Sequence, residues 1–506
     1  MSNLLAVPPL LNAELTPDVC QRAVRARDPR FDGVFFVAIT TTGVYCRPVC
    51  PARVTNPERR RFFPSAAAAE HAGFRPCLRC RPELAPGRAI CDAVSRLAAA
   101  AAHRIAAGAL NGRSVAHLAR ELCVSERHLR RALERELGVA PIELAQTHRL
   151  LLAKRLLADT DLSITRIAFA SGFQSLRRFN SVFRERYRMP PNALRRTRRA
   201  PRVSRSDEPG DLLHLTLAYR PPLAWDALTA QLRSEALAGV EVVTGLRYGR
   251  TIRLNQSAGV VFAENAPASH RNAAHSTHVN VAISVSLLPA LMPLLAKLRQ
   301  LFDLDAEPAM IDAHLAQDGL SSLVQQVPGL RVPGALDPSE VVLRALARAR
   351  ADNVVRALGE PIETGFPGLS RLAPGADRIA EAGAERIAAL GVPRRNADAL
   401  VTAARLMADG RLHLEPGSEV VRTRTALQEI GIGDAAATMI VMRTLHWPDA
   451  FPATDRALQR AAGVSSAHAL RAQAESWRPW RAYAATHLWR TAPRPIRPFG
   501  PLMAVN

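Results

Sequence analysis

The spacing of apolar side chains changes character along the chain. Between residues 31 and 63, short apolar runs such as FFVAI and VYC alternate with turn formers. Residues 66 to 74 carry the pattern of one short helix, and the two together predict a small α+β unit. From Cys91 to Arg188 apolar residues recur at helical spacing, and the polar faces are rich in arginine. The segment RRTRRAPRVSRSDEPGD, residues 195 to 211, has almost no apolar side chains and reads as an exposed linker. Beyond it, LLHLTLAY, GVVFAEN and HVNVAISVSL alternate as strands do, and from about Pro289 the pattern is nearly all helical. The boundaries expected are 1–89, 90–195, a linker at 196–211, a small sheet at 212–300 and a helical part at 301–506.

A length of 506 residues fits this division, since domains average about 150 residues and each can then bury its own core. Charge sharpens the picture. The net formal charge is +22, and residues 1 to 200 hold 34 Lys/Arg against 16 Asp/Glu, so most of the excess lies in the first two fifths. Such a field favours polyanions, either nucleic acid or an acidic membrane surface. The start, MSNLLAVPPLLNAEL, has no basic region of the kind that opens a signal peptide, and the richest apolar stretch, Leu287 to Leu298, is too short to span a bilayer. A cytoplasmic protein is expected.

All seven cysteines precede residue 124, which does not suit a disulfide framework spread over a secreted chain. Cys46 and Cys50 form one close pair and Cys77 and Cys80 another, with 26 residues between the pairs. Tetrahedral zinc is bound by such pairs, each reaching one edge of the tetrahedron, and from spacing alone a purely structural zinc is the commoner case. Cys20, Cys91 and Cys123 fall outside the pattern and are expected to be small core residues.

The residues FVAITTTGVYCRPVCPAR followed by AGFRPCLRC resemble the amino-terminal domain of the bacterial Ada adaptive-response proteins, over about residues 18 to 85. The resemblance implies one zinc held by Cys46, Cys50, Cys77 and Cys80, with Cys46 irreversibly accepting a methyl group from a methylphosphotriester of the DNA backbone. Of the neighbouring arginines Arg47, Arg53, Arg75 and Arg79, the expected phosphate contacts are Arg53, Arg75 and Arg79. The same centre can act as a switch. Zinc with four thiolates carries a formal charge of about −2, and methylating one sulfur leaves about −1, which lessens repulsion of DNA by roughly 1 to 2 kcal/mol, or about tenfold in affinity.

SVAHLARELCVSERHLRRALERELGVAPIEL sets Ala116, Leu118, Ala119, Val124, Leu129 and Leu133 at helix-turn-helix core spacing. Its second helix, from Ser125 to Glu136, turns Arg127, His128, Arg130 and Arg131 outward. SITRIAFASGFQSLRRFNSVFRERYRMPPNALRR repeats the plan, with Gly172 at the turn, Phe173, Phe179 and Phe183 inside, and Arg177, Arg178 and Asn180 outside. This block resembles the AraC-type regulator domain over about residues 90 to 195, with a long joining helix at about Pro141 to Leu157. The resemblance implies binding of promoter DNA through Arg127, His128, Arg131, Arg177, Arg178 and Asn180, with RNA polymerase as a protein partner.

Farther on, Gly431-Ile432-Gly433 between two helical segments has the form of a helix-hairpin-helix, in which glycines let backbone N–H groups approach a DNA phosphate. Asp455 follows 22 residues after Gly433, behind Phe451-Pro452-Ala453-Thr454. With QLFDL, VPGLRVPG, LGVPRRNADAL and ESWRPWRAYAATHLWR, this part resembles the AlkA-type 3-methyladenine DNA glycosylases over nearly all of residues 212 to 490. The resemblance implies a flipped alkylated purine, Asp455 as the catalytic carboxylate, Gly431 and Gly433 on the DNA and Trp489 as a pocket aromatic. A plain helix N-cap is the other role open to Asp455. Ala435 stands where bifunctional relatives carry a lyase lysine, which implies a monofunctional enzyme. The hairpin has Glu429-Ile430 in place of Leu-Pro, and Arg350 stands where an apolar wedge is expected, so the range of bases is left open.

The fold class expected is thus multidomain: a small α+β zinc domain, an all-α double helix-turn-helix domain and an α+β helix-hairpin-helix DNA glycosylase. Its expected partners are double-stranded DNA, alkylated and promoter, with no membrane. The competing reading is a transcriptional regulator with structural zinc and a silent glycosylase body. No cysteine follows Cys123, so the separate O6-methylguanine transferase domain of the Ada family is not expected.

Overall fold

A computed structural model of the chain describes residues 15–52, 56–87, 96–196, 211–265 and 277–491. Arg53, Cys91 and most of the expected linker lie outside them. No described helix is long and apolar enough to cross a membrane.

The first unit is built on a four-stranded sheet of β1 (Phe36–Ile39), β2 (Val44–Cys46), β3 (Arg60–Phe63) and β4 (Arg75–Pro76), in the order β3-β1-β2-β4. β1 runs antiparallel to β2 and β3, and β4 parallel to β2. Successive strand residues point to opposite faces, so β1 feeds two small cores. Val37 joins Cys20, Val24 and Phe35 beside the cysteines, and Phe36 and Ala38 join Tyr45, Ala69 and Phe74 on the other side. The short helix Ala66–His71 starts where the Ser65 side chain accepts the Ala68 N–H.

The helical region follows with Val115–Glu121 and Glu126–Leu137, the long helix Pro141–Asp159, and Ile164–Ala170 and Leu176–Tyr187. Each second helix of a pair opens on a serine cap, Ser125 on His128 N–H and Ser175 on Arg178 N–H. Gly172 turns at a φ of +85°, a conformation open to glycine without strain. Two sequence expectations need correcting here. In the first helix Leu118 and Ala119 are buried as expected, but Val115 takes the inward position expected of Ala116, which faces outward. Cys123 is exposed, because its left-handed φ of +55° at the end of that helix swings the side chain away from the core.

The last part opens on a five-stranded antiparallel sheet of β5 (Leu212–Ala218), β6 (Glu241–Thr244), β7 (Arg247–Leu254), β8 (Ser257–Glu264) and β9 (His278–Ser284), in the order β5-β9-β8-β7-β6. β6 and β7 were not among the expected strands. Arginines interrupt the alternation of β7: buried Arg250 reaches Glu340 at 2.6 Å and Glu241 at 3.5 Å, Arg247 lies over the Phe262 ring at 4.3 Å, and exposed Arg253 pairs with Glu360 at the surface. Helices then dominate, from Leu291–Leu301 to Arg481–Thr491.

The three regions are bolted together. Phe173, Phe179 and Phe183 of the second helix-turn-helix share one continuous apolar core with Leu213, Leu215 and Leu217 of β5 and with Leu294 and Leu298. Near the cysteines, Arg81 pairs with Asp159 through two bonds of 2.8 Å, and buried Glu83 pairs with Lys154 of the same long helix. Glu70 is fully buried at this junction, where it accepts the Tyr45 hydroxyl at 3.0 Å and the Thr147 hydroxyl at 3.1 Å. Burial pushes its carboxyl up to about 7.

Candidate functional site

Cys46 ends β2, Cys50 follows in the next turn, and Cys77 and Cys80 follow β4, so the parallel pairing of β2 and β4 brings the two sequence pairs together. The four sulfurs all lie within 4.8 Å of one another. A tetrahedral zinc site with Zn–S bonds of about 2.3 Å has sulfurs about 3.8 Å apart, so the donor set fits that ion. Two backbone donors serve the same sulfurs: Arg47 N–H donates to Cys80 Sγ and Arg79 N–H to Cys77 Sγ, each at 3.4 Å. A divalent cation held by four such close sulfurs keeps them as thiolates. The chain holds one zinc here.

The arginines around this cluster differ in what they can do. Arg47 is committed inward, where Asp32 holds its guanidinium and the Cys80 carbonyl accepts from it at 3.3 Å. Arg79 is exposed and Arg75 half-buried on β4. Cys20, outside the cluster, is buried, which pushes its thiol up to about 11.

In the helix-turn-helix region Arg127, His128 and Arg131 are exposed on one helix and Arg177 and Arg178 on the other, while Asn180 is half-buried. Arg130 is drawn into an ion pair with Glu126 at 2.9 Å.

The hairpin joins helices Val420–Glu429 and Asp434–Thr444. Gly431 has a φ of +94°, and a Cβ added at Gly431 or Gly433 would meet nothing within 4 Å, so this corner of the backbone is open to a ligand. Asp455 caps the helix Arg456–Ala461, its Oδ1 accepting the Leu458 N–H at 2.7 Å. The same oxygen accepts the indole N–H of Trp489 at 3.2 Å. Among the described residues Oδ2 has no hydrogen-bond partner, so the cap leaves that oxygen of the carboxylate unused. Ala435 is half-buried in the first turn after the hairpin. Arg350 is exposed in a short 3-10 turn, its side chain lying over Gly391. Sequence reasoning missed Asp434 and Thr454, which join the hairpin to the loop before Asp455, since no motif marks a bond across 20 residues.

Family models match three stretches of the chain: the metal binding domain of Ada over residues 19–83, a helix-turn-helix domain over 118–197, and the AlkA N-terminal domain over 214–337. DNA-3-methyladenine glycosylase 2 of Escherichia coli is 32% identical, over 54% of this chain and 96% of its own. The bifunctional transcriptional activator/DNA repair enzyme Ada of Escherichia coli is 51% identical over 71 residues, 14% of this chain and 20% of its own. The probable bifunctional transcriptional activator/DNA repair enzyme AlkA of Mycobacterium tuberculosis is 36% identical over 497 residues, 95% of this chain and 98% of its own. That match runs through the sulfur cluster, both helix-turn-helix units and the hairpin with its aspartate, and the chain belongs to the family of bifunctional transcriptional activator/DNA repair enzymes of the AlkA type.

Proposed function

We propose that this chain accepts the methyl group of a DNA methylphosphotriester on Cys46, activates transcription through its double helix-turn-helix, and excises N-alkylated purines of the 3-methyladenine type with Asp455. The observation that carries the reading is that a four-sulfur cluster and an Asp455 carboxylate with one free oxygen beside an open hairpin stand in one chain.

Zinc held by the four cysteines keeps sulfur as thiolate at neutral pH, the form that attacks carbon. In the transfer, the Cys46 sulfur forms a bond to the methyl carbon while the carbon–oxygen bond breaks. The electron pair leaves on the phosphate oxygen and restores the ordinary diester anion. Arg79 and Arg75 supply positive charge for the backbone, and Arg53 follows Cys50 by three residues in the sequence. Arg47 keeps the cluster loop against Asp32 and is not free for DNA.

In excision, Gly433 presents its backbone N–H to a phosphate, Gly431, whose own N–H is taken by the Gln428 carbonyl at 2.9 Å, leaves the corner open for the close approach, and the damaged nucleotide leaves the stack. As the glycosidic bond breaks, positive charge develops on the sugar and the base departs with the bonding electrons. Asp455 Oδ2 stabilises that charge, while Oδ1 stays tied to Leu458 and Trp489. An N-alkylated purine is cationic and leaves readily, so little protonating machinery is required.

Exposed Arg127, His128, Arg131, Arg177 and Arg178, with Asn180, form the promoter-reading set. RNA polymerase is the proposed protein partner and the cytoplasm the proposed compartment. Incubating the protein with methylated duplex DNA tests the reading, with methyl transfer to protein and release of free base scored separately. Both are expected. Transfer without release would favour a regulator with a silent glycosylase body.

A further inference from the structure

The first residue after the hairpin is an aspartate. Asp434 opens the helix Asp434–Thr444 directly behind Gly433, where a carboxylate repels the phosphate that the hairpin is built to approach. A helix N-terminus stabilises an acidic side chain without help from other segments, yet this one is gripped from three sides. Gln428, from the helix before the hairpin, donates its amide to Oδ1 at 2.9 Å. Thr454, the residue before Asp455, donates its hydroxyl to Oδ2 at 3.0 Å. The Arg471 guanidinium lies 3.8 Å from Oδ2.

We infer that Asp434 is a positioning residue for base excision: its bond to Thr454 ties the phosphate-gripping hairpin to the loop that presents Asp455. The tie sets two distances at once. Gln428 and Asp434 flank the hairpin glycines, so a phosphate seated there fixes the place of Asp434. Thr454 is held to that carboxylate, and Asp455 follows it in the chain. Farther along the loop, Asp455 N–H donates to the Pro452 carbonyl at 2.9 Å and the Gln459 amide to the Ala453 carbonyl at 2.8 Å, so the loop moves with Thr454 as a unit. Gripping the backbone thereby registers the carboxylate on the sugar, at the cost of placing a negative charge beside a phosphate.

The inference rests on the proposed role of Asp455, and the test separates the two. Single-turnover release of 3-methyladenine is measured for wild type, Asp434→Ala, Asp434→Asn and Thr454→Val. Hydrogen exchange of peptides covering residues 452 to 458 is followed with and without a duplex carrying a tetrahydrofuran abasic analogue. Misplacement of a reacting group by about 1 Å costs up to about a hundredfold, so Asp434→Ala is expected to slow release about 10- to 100-fold. It is also expected to lose the DNA-induced protection of 452 to 458 while binding the duplex at least as tightly as wild type. Asp434→Asn, whose amide oxygen still accepts from Thr454, is expected to recover most of the loss. Thr454→Val, which leaves the helix terminus and its charge untouched, is expected to match the alanine variant. Wild-type release and wild-type protection in Asp434→Ala would overturn the inference, as would an asparagine variant as slow as the alanine one. A wild-type protein that releases no base overturns the excision reading instead, and the exchange comparison still decides the tie.

Discussion

Trp489 donates its indole N–H to Oδ1 of Asp455 at 3.2 Å, the same oxygen that caps the Leu458 amide at 2.7 Å. Asparagine caps a helix about as well as aspartate, so Asp455→Asn separates chemistry from stability. Release of 3-methyladenine is expected to fall at least about a hundredfold, as loss of an electrostatic contact worth about 3 to 4 kcal/mol requires. Binding to damaged duplex and the unfolding midpoint should stay close to wild type. Unchanged release would leave the carboxylate with the cap alone.

Metal analysis of the purified protein should find one zinc per chain. Cys50→Ala opens the four-sulfur cage and is expected to lose the metal, together with the protection of residues 36 to 80 from proteolysis, since the cysteines form part of the small core around Val37. Four freely titratable thiols in zinc-free, folded protein would count against a metal centre.

Methylation of Cys46 removes one negative charge from the zinc centre and should tighten promoter binding by about tenfold at moderate salt. A salt titration of methylated and unmethylated protein reads this directly. Equal affinities would end the switch and leave methyl acceptance standing.

Glu70 links the zinc unit to the long helix at Thr147, with its carboxyl raised to about 7 by burial. A raised folded pKa means that the stabilising neutral form is fully present below the ordinary value near 4.5 and is lost as pH rises through about 7. The span corresponds to at most about 3 kcal/mol. Urea midpoints of the full chain between pH 5 and 8 should therefore fall more steeply for wild type than for Glu70→Gln, which keeps an acceptor and cannot ionise. Parallel curves would show that the carboxyl stays charged in the fold.

Features carried by local spacing were legible in the sequence. The paired cysteines, the helix start at Ser125 and the glycine turn at Gly172 each act within a few residues, and the structure has them as expected. The two missed strands flank buried charge: Arg250 satisfies Glu340 from 90 residues away, and no periodicity reports such a pair. Val115 took the core position expected of Ala116 because a one-residue shift of a short helix changes which small side chain faces in. Cys123 was misjudged on residue type, since its backbone conformation and not its hydrophobicity decides where the thiol points. The tie between Asp434 and Thr454 and the bolts Arg81–Asp159 and Lys154–Glu83 join segments far apart in the chain. They are visible only once the chain is folded.

The apolar seam in which Phe179 and Phe183 pack with Leu213 and Leu215 makes the reader of promoters and the remover of bases mechanically one object. A protease that nicks the chain between residues 196 and 211 would part the backbone and leave the halves clasped. Expressed alone, a half would present that seam to water and tend to clump. Selection on either activity therefore acts on a body that both must share, and a mutation that hollows the seam taxes transcription and repair in the same stroke.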